Sequence, residues 1–173
     1  PAGIGGQICG SDNWRSLWAY LAEHISDGPK NKNNRFEVAG MMNAAIGFEE
    51  GPFWGYHQAH IGRYPNVGRT RPESLPPSFS QFRIVEGRAK NAKPVYQLFY
   101  NGAVGGQSIL GMAALHGLIT DPEIGPHIAV WPFDTKLAGD LSKPITLAEI
   151  YPSSHAVDET LHDIKDAAQV ISV

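Results

Sequence analysis

The chain has 173 residues, 42% apolar side chains and four tryptophans, which is enough to bury a core and excludes a disordered polypeptide. Cys9 is the sole cysteine, so no internal disulfide can form, and a reducing, cytoplasmic setting is the expectation. The net charge of −3 is uneven: from Gly51 to Lys93 seven basic residues stand against two acidic ones, a stretch that can meet phosphate or simply form a solvated loop on an acidic body.

The opening glycine-rich PAGIGGQICG reads as a loop. Ser11 or Asp12 can cap the helix that follows, where Trp14, Leu17, Trp18, Leu21 and Ile25 recur on one face and Gly28-Pro29 ends the pattern. The two tryptophans serve either as core or as a stacking platform. A second helix is expected over Arg35 to Ile46, capped by Asn33 or Asn34. Arg35 then sits in a first turn, where a cation opposes the helix dipole and calls for a carboxylate or a bound anion, unless it is exposed at small cost.

From about 47 to 93 the chain loses periodicity and reads as one long irregular, basic insertion. Its GPFWGYH portion is too aromatic to be disordered. His57 and His60 form an HxxH pair without a third ligand at a recognisable spacing, and Ser78 to Arg88 reads as a short edge strand or ordered arm. Val95 to Tyr100 alternates like a strand, and Gly102, Gly105 and Gly106 then turn into a helix from Val104 to about Ile119. The Gly105, Gly106, Gln107, Ser108 turn either cradles an anion on backbone N–H groups or lets helix and strand pack closely. The helix is apolar nearly all round, belongs in the middle of the molecule, and offers Gly111 and Ala114 for close approach.

Two β-prone runs follow, His127 to Phe133 and Ile145 to Tyr151, paired directly as a hairpin-like unit or separated by another strand. Helices against such strands indicate an α/β fold with a mixed or parallel sheet. Glu149 stands in the second run, facing either a functional partner or solvent. From Val157 a last helix is expected, with Glu159, Asp163 and Asp166 at i, i+4 and i+7 as an acidic stripe. Hard cations such as Mg²⁺ take carboxylate oxygens, so Glu149, Asp163 and Asp166 are the candidate metal ligands, unless the stripe is a solvated face.

In this order, NNRFEVAGMMN, GPFWG, FRIVEGR, GAVGGQSILG, VWPFD, AEIYPS and IKDAAQV resemble a bacterial family of uncharacterised proteins regarded as predicted nucleases with a ribonuclease H-like fold. The resemblance implies a ribonuclease H-like mixed sheet with helices, incomplete in this chain, because the family's Asp-bearing first strands would precede Pro1. Pro1 in place of Met, and a helical pattern still running at Val173, agree with a single domain, or the C-terminal part of one, cut at both ends.

It further implies a metal-dependent phosphodiester hydrolase with Glu149 and Asp166 as catalytic carboxylates on Mg²⁺ or Mn²⁺, for which Arg35, Arg83 and Arg88 are the candidate phosphate contacts in this chain. Nucleic acid or a phosphorylated small molecule would be the partner. The alternatives are a non-catalytic binder of a phosphorylated small molecule or cofactor precursor, since some relatives are linked to molybdenum-cofactor or cobalamin synthesis, and a structural or oligomerisation domain using the aromatic loop near Trp54. No signal-peptide pattern and no uninterrupted apolar run of about 18 residues occurs, which speaks against secretion and membrane spanning.

Overall fold

The structure, a computed structural model, describes residues 3–48, 50–75, 78–88, 92–137, 143–149 and 156–172, with the backbone alone for Val85 and Asp166. The chain divides into two units, Pro1–Gly125 and Pro126–Val173. Both mix helix with short strand, and each sheet has two strands among the described residues.

In the first unit the glycine-rich opening is helical from Ile4 to Cys9 (α1), where a loop was expected. Ile4 and Ile8, four apart, pack against the core, and that burial outweighs the poor helix propensity of the two glycines between them. Helix α2 (Trp14–His24) is capped by Asn13, whose side chain accepts from the Arg15 N–H at 3.0 Å. Ser11 and Asp12 act one step earlier: the Ser11 hydroxyl accepts from Asn13 N–H and the Asp12 carboxylate from Gly3 N–H. Trp14 and Trp18 meet edge to face at 4.7 Å, with Trp18 buried, so this pair belongs to the packing.

Helix α2 stops at His24, before Gly28-Pro29. Asp27–Gly28 (β1) and Lys32–Asn33 (β2) then form a minimal antiparallel hairpin. Asn34 joins these pieces: its amide accepts from Ser26 N–H at 2.8 Å and donates to the His24 carbonyl at 2.9 Å. That use replaces the expected side-chain cap of α3 (Arg35–Ile46), which begins at the expected residue. Val38, Ala39, Met42 and Asn43 of α3 are buried to within 1%.

The stretch from Gly47 onward is irregular, yet it supplies Phe53, Tyr56, Tyr64 and Val67 to the core. Asn43 explains how an aperiodic segment is held. Its amide donates to the carbonyls of Phe53 and Asn66, and its oxygen accepts from Phe53 N–H at 3.0 Å. Gly40 lets the loop lie against α3, since a Cβ there would collide with the Pro65 carbonyl. Trp54 is the centre of the loop, with single parallel bridges to Gly68 on one side and Gln97 on the other. It is 8% exposed and its indole N–H donates to Gln81, so it is interior and not a contact surface. Of the edge strand or ordered arm expected from Ser78 to Arg88, the strand does not form: Ile84–Arg88 is a short helix (α4).

Val95 to Tyr100 is likewise not a strand. It runs through a turn with one bridge, at Gln97, and delivers the chain to α5 (Gly105–Thr120). Helix α5 packs chiefly on α2 and also on α3. It buries only Gly105, Gly106 and Ile109, so it is less central than its apolar sequence predicts. Close approach happens at its start: a Cβ on Gly105 would lie 2.8 Å from the carbonyls of Gln97 and Val95, whereas one on Gly111 would meet nothing within 4 Å.

In the second unit Ile128–Val130 (β3) and Ile145–Leu147 (β4) pair directly but in parallel and so do not form the hairpin-like unit expected, Ile128 standing opposite Ile145 and Val130 opposite Leu147. All three β3 residues are buried. The last helix, α6, spans only Lys165–Ile171. Upstream, Asp158 accepts from the N–H and hydroxyl of Thr160, and His162 Nδ1 accepts from Ile164 N–H, local bonds that compete with helix. Glu159, Asp163 and Asp166 therefore do not share a helical face. Among the described residues, no helix is long and apolar enough to cross a membrane.

Candidate functional site

The first unit holds a cavity of about 350 Å³ lined by Asn31 and Arg35, by the Leu98–Asn101 turn and Ala103, and by Gly106, Gln107 and Leu110 of α5. Arg35, Gly106 and Gln107 were singled out from sequence and meet here. Gly105 and Ser108 stand beside the cavity without lining it. Gly105 N–H donates to the Gln97 carbonyl at 3.0 Å, and the Ser108 hydroxyl turns back onto the Val104 carbonyl at 3.0 Å.

Among the described residues, Arg35 is the one charged side chain of the lining. Its guanidinium donates to Asn33 Oδ1 at 2.7 Å and lies 4.7 Å from the centre of the Phe36 ring, and it is half-buried. Among the described residues no carboxylate stands within ion-pair distance of it. The side chain crosses the first turn of α5: a Cβ on Gly106 would lie 3.0 Å from Arg35 Cδ and 3.1 Å from Nε. Glycine at 106 is what admits the arginine. The cation thus occupies the first turn of its own helix and abuts the first turn of another, two places where the dipole favours negative charge.

Part of the lining is aromatic. Phe99 lies between His57, at 5.7 Å and 87°, and Tyr100, at 5.0 Å and 57°. Tyr100 is 48% exposed and has φ of 87°, in the left-handed region. Asn31 is also left-handed, φ 58°, and its backbone and side-chain oxygens accept from Asn33, the residue that holds Arg35.

The other sequence candidates lie elsewhere. Arg83 is engaged by Glu86, through a 2.7 Å bond from its Nε and a 2.8 Å bond from its backbone N–H, and Arg88 is an exposed residue at the end of α4. His57 and His60 rings are 6.1 Å apart, and His60 Nδ1 faces the Tyr64 hydroxyl at 3.3 Å. In the second unit Glu149 is exposed two residues beyond β4, Asp163 is exposed in the bend before α6, and Asp166 is the second residue of α6. Among the described residues no group of three or more His, Cys, Asp or Glu gathers as a metal site. The end of the second β-prone run, from Ile150 onward, and the IYPS portion of its motif lie outside the described residues.

No family model, no curated protein and no solved structure matches this chain.

Sequence reasoning found Arg35, because a cation at a helix start is unfavourable unless something answers it. It missed Tyr100, Asn31 and Asn101. The Asn101-Gly102 pair marks a turn, but a turn signal does not say which ring the turn presents.

Proposed function

We propose that this protein binds a small phosphorylated or otherwise anionic ligand in the cavity between Arg35 and the start of α5. The observation that carries this reading is the guanidinium of Arg35, half-buried on a cavity wall with neutral groups around it. A buried or half-buried charge is costly without a partner, and a ligand phosphate accepts the paired N–H donors of a guanidinium. The α5 end adds to the field: Gly105 and Ser108 N–H groups have backbone acceptors, while those of Gly106 and Gln107 have none among the described residues. Among the described residues the lining is Arg35 with amides, aromatic rings and apolar groups, which suits it to holding a ligand. A cytoplasmic setting, with Cys9 reduced, suits a phosphorylated metabolite.

Thermal melting at constant ionic strength tests the reading. Millimolar inorganic phosphate or pyrophosphate should raise the Tm above a chloride control, and Arg35→Gln should weaken the apparent affinity about tenfold or more. Equal melting in phosphate and chloride would refute it.

A second reading is metal-dependent phosphodiester hydrolysis of ribonuclease H-like type, with Glu149, Asp163 and Asp166 toward Mg²⁺ or Mn²⁺ and nucleic acid as substrate. What favours it is the parallel β3–β4 pair with an exposed carboxylate just beyond the carboxyl end of β4, the end at which open α/β sheets carry ligands. The described side chains do not assemble a ligand set, and Asp166 would have to complete one. Divalent-dependent cleavage abolished by Glu149→Ala would support this reading; cleavage unchanged by that substitution would remove it.

A further inference from the structure

Resting on the anion reading above, we infer that the ligand also carries a planar ring stacked on Tyr100, and that a nucleoside monophosphate is the class that fits. Tyr100 has φ of 87°, a conformation that a bulky L-residue adopts only at a cost, and glycine would hold the same turn without that cost. The turn itself is closed by backbone alone, Ala103 N–H to the Tyr100 carbonyl at 3.0 Å. Core packing does not account for a tyrosine there either, since the residue is 48% exposed. What the turn accomplishes is to present a ring on the cavity wall, tilted 57° against Phe99, which His57 contacts in turn.

The remaining chemistry narrows the ligand. A ring of this kind stacks on nucleobases of any sequence, because every base offers a π-face. Asn31 and Asn101 supply neutral amides, whose donors and acceptors suit the polar edge of a base or the hydroxyls of a sugar. Among the described residues Arg35 is the one cation of the lining, which matches one phosphate. The cavity, about 350 Å³, lies at the small end of ligand sites, about 300–1,000 Å³, and admits one nucleotide.

The test is calorimetric titration of the protein with adenosine monophosphate, ribose 5-phosphate and inorganic phosphate. The wild type should bind adenosine monophosphate about tenfold or more tightly than ribose 5-phosphate, from stacking alone. In Tyr100→Ala that ratio should fall toward one, and in Tyr100→Phe it should return. Tyr100→Gly guards against a folding failure, since glycine suits the local backbone; it should melt higher than the wild type and show the same collapsed ratio. Equal affinities for the two phosphates in the wild type, or a ratio that survives in Tyr100→Gly, would overturn the ring assignment while leaving anion binding in place. Failure of all three probes to bind would overturn the anion reading and this inference with it.

Discussion

Replacing Asn43 by alanine should be among the most damaging single changes in the first unit, for reasons that can be counted. The side chain is fully buried and makes three bonds to the irregular loop: to the Phe53 carbonyl at 2.9 Å, from the Phe53 N–H at 3.0 Å, and to the Asn66 carbonyl. Asn66 is exposed, so its carbonyl can turn to water, but Phe53 is buried and both its backbone groups would be orphaned. At about 1–3 kcal/mol for each unsatisfied group, the loss is about 3 kcal/mol. That is a large part of a typical stability of about 5–15 kcal/mol, and with a urea slope of about 2 kcal/mol/M it moves the midpoint by about 1.5 M.

Asn43→Asp sharpens the test. A carboxylate keeps the bond from Phe53 N–H but sets negative oxygen against two carbonyls, so at neutral pH it should cost at least as much as alanine. Burial and the carbonyls raise the folded-state pKa of such a carboxyl above its unfolded value. The variant should therefore recover stability as pH falls, when the proton restores a donor. Urea unfolding across pH would show this. A loss below about 0.5 kcal/mol in Asn43→Ala, the range of ordinary surface substitutions, would refute the argument. The same clamp reaches the cavity, because Trp54 beside Phe53 accepts the Leu98 N–H at 2.8 Å and Leu98 is part of the cavity wall.

Two glycine substitutions in α5 should have opposite signs. Gly105→Ala forces a Cβ to 2.8 Å from two backbone carbonyls and should cost about 1–3 kcal/mol, whereas Gly111→Ala meets nothing within 4 Å and should gain about 0.5–1 kcal/mol, both read from urea midpoints. Burial, and then the Glu86 charge, raise the Tyr96 pKa, so folding should be unaffected below the ordinary tyrosine value of about 10 and weaken as pH climbs through the higher folded-state value. Tyr96→Phe should flatten that alkaline decline, and an identical decline in both proteins would contradict the assignment. The Asp121 carboxylate accepts the N–H groups of Ile124 and Glu123, which lowers its pKa, so its support of the turn is present above the usual value of about 3.9 and lost as pH falls further. An NMR titration of Asp121 with a midpoint at or above that value would show that the cap does not form.

Where burial and local pattern agreed, the sequence was legible. Helix α3 begins and ends at the expected residues and α5 is displaced by one, because in both a long apolar pattern meets a glycine signal at one end. Alternation from Val95 to Tyr100 misled, since a strand also needs a partner, and among the described residues its one bridge is to a single residue, Trp54. The last helix was shortened by side chains of Asp158 and His162 that bond the local backbone, an effect that apolar periodicity does not register. At the site, Arg35 was legible through the cost of a cation at a helix start. The ring wall depends on a positive φ at a tyrosine and on a loop clamped from 10 residues away by Asn43, neither of which composition or spacing encodes.

The departures from local preference in the first unit are themselves informative, because they differ in physical kind and still converge. Arg35 violates the helix dipole, and does so at the start of α3 while abutting the start of α5. Tyr100 violates backbone sterics, and Asn31 joins it in the left-handed region. The structure offers conservative escapes at each: a neutral side chain at 35, a glycine at 100. Elsewhere in the unit Lys30 and Asn66 also take left-handed backbone and α1 carries two glycines, so departures are not confined to the cavity; what distinguishes it is that a helix-start cation and a bulky aromatic residue at positive φ both belong to its lining. Two unrelated kinds of local cost meet on one cavity of about 350 Å³. The proposed ligand, with an anion for Arg35 and a ring for Tyr100, would give both a single cause, and on that proposal these two positions are the ones where stability and binding should trade against each other.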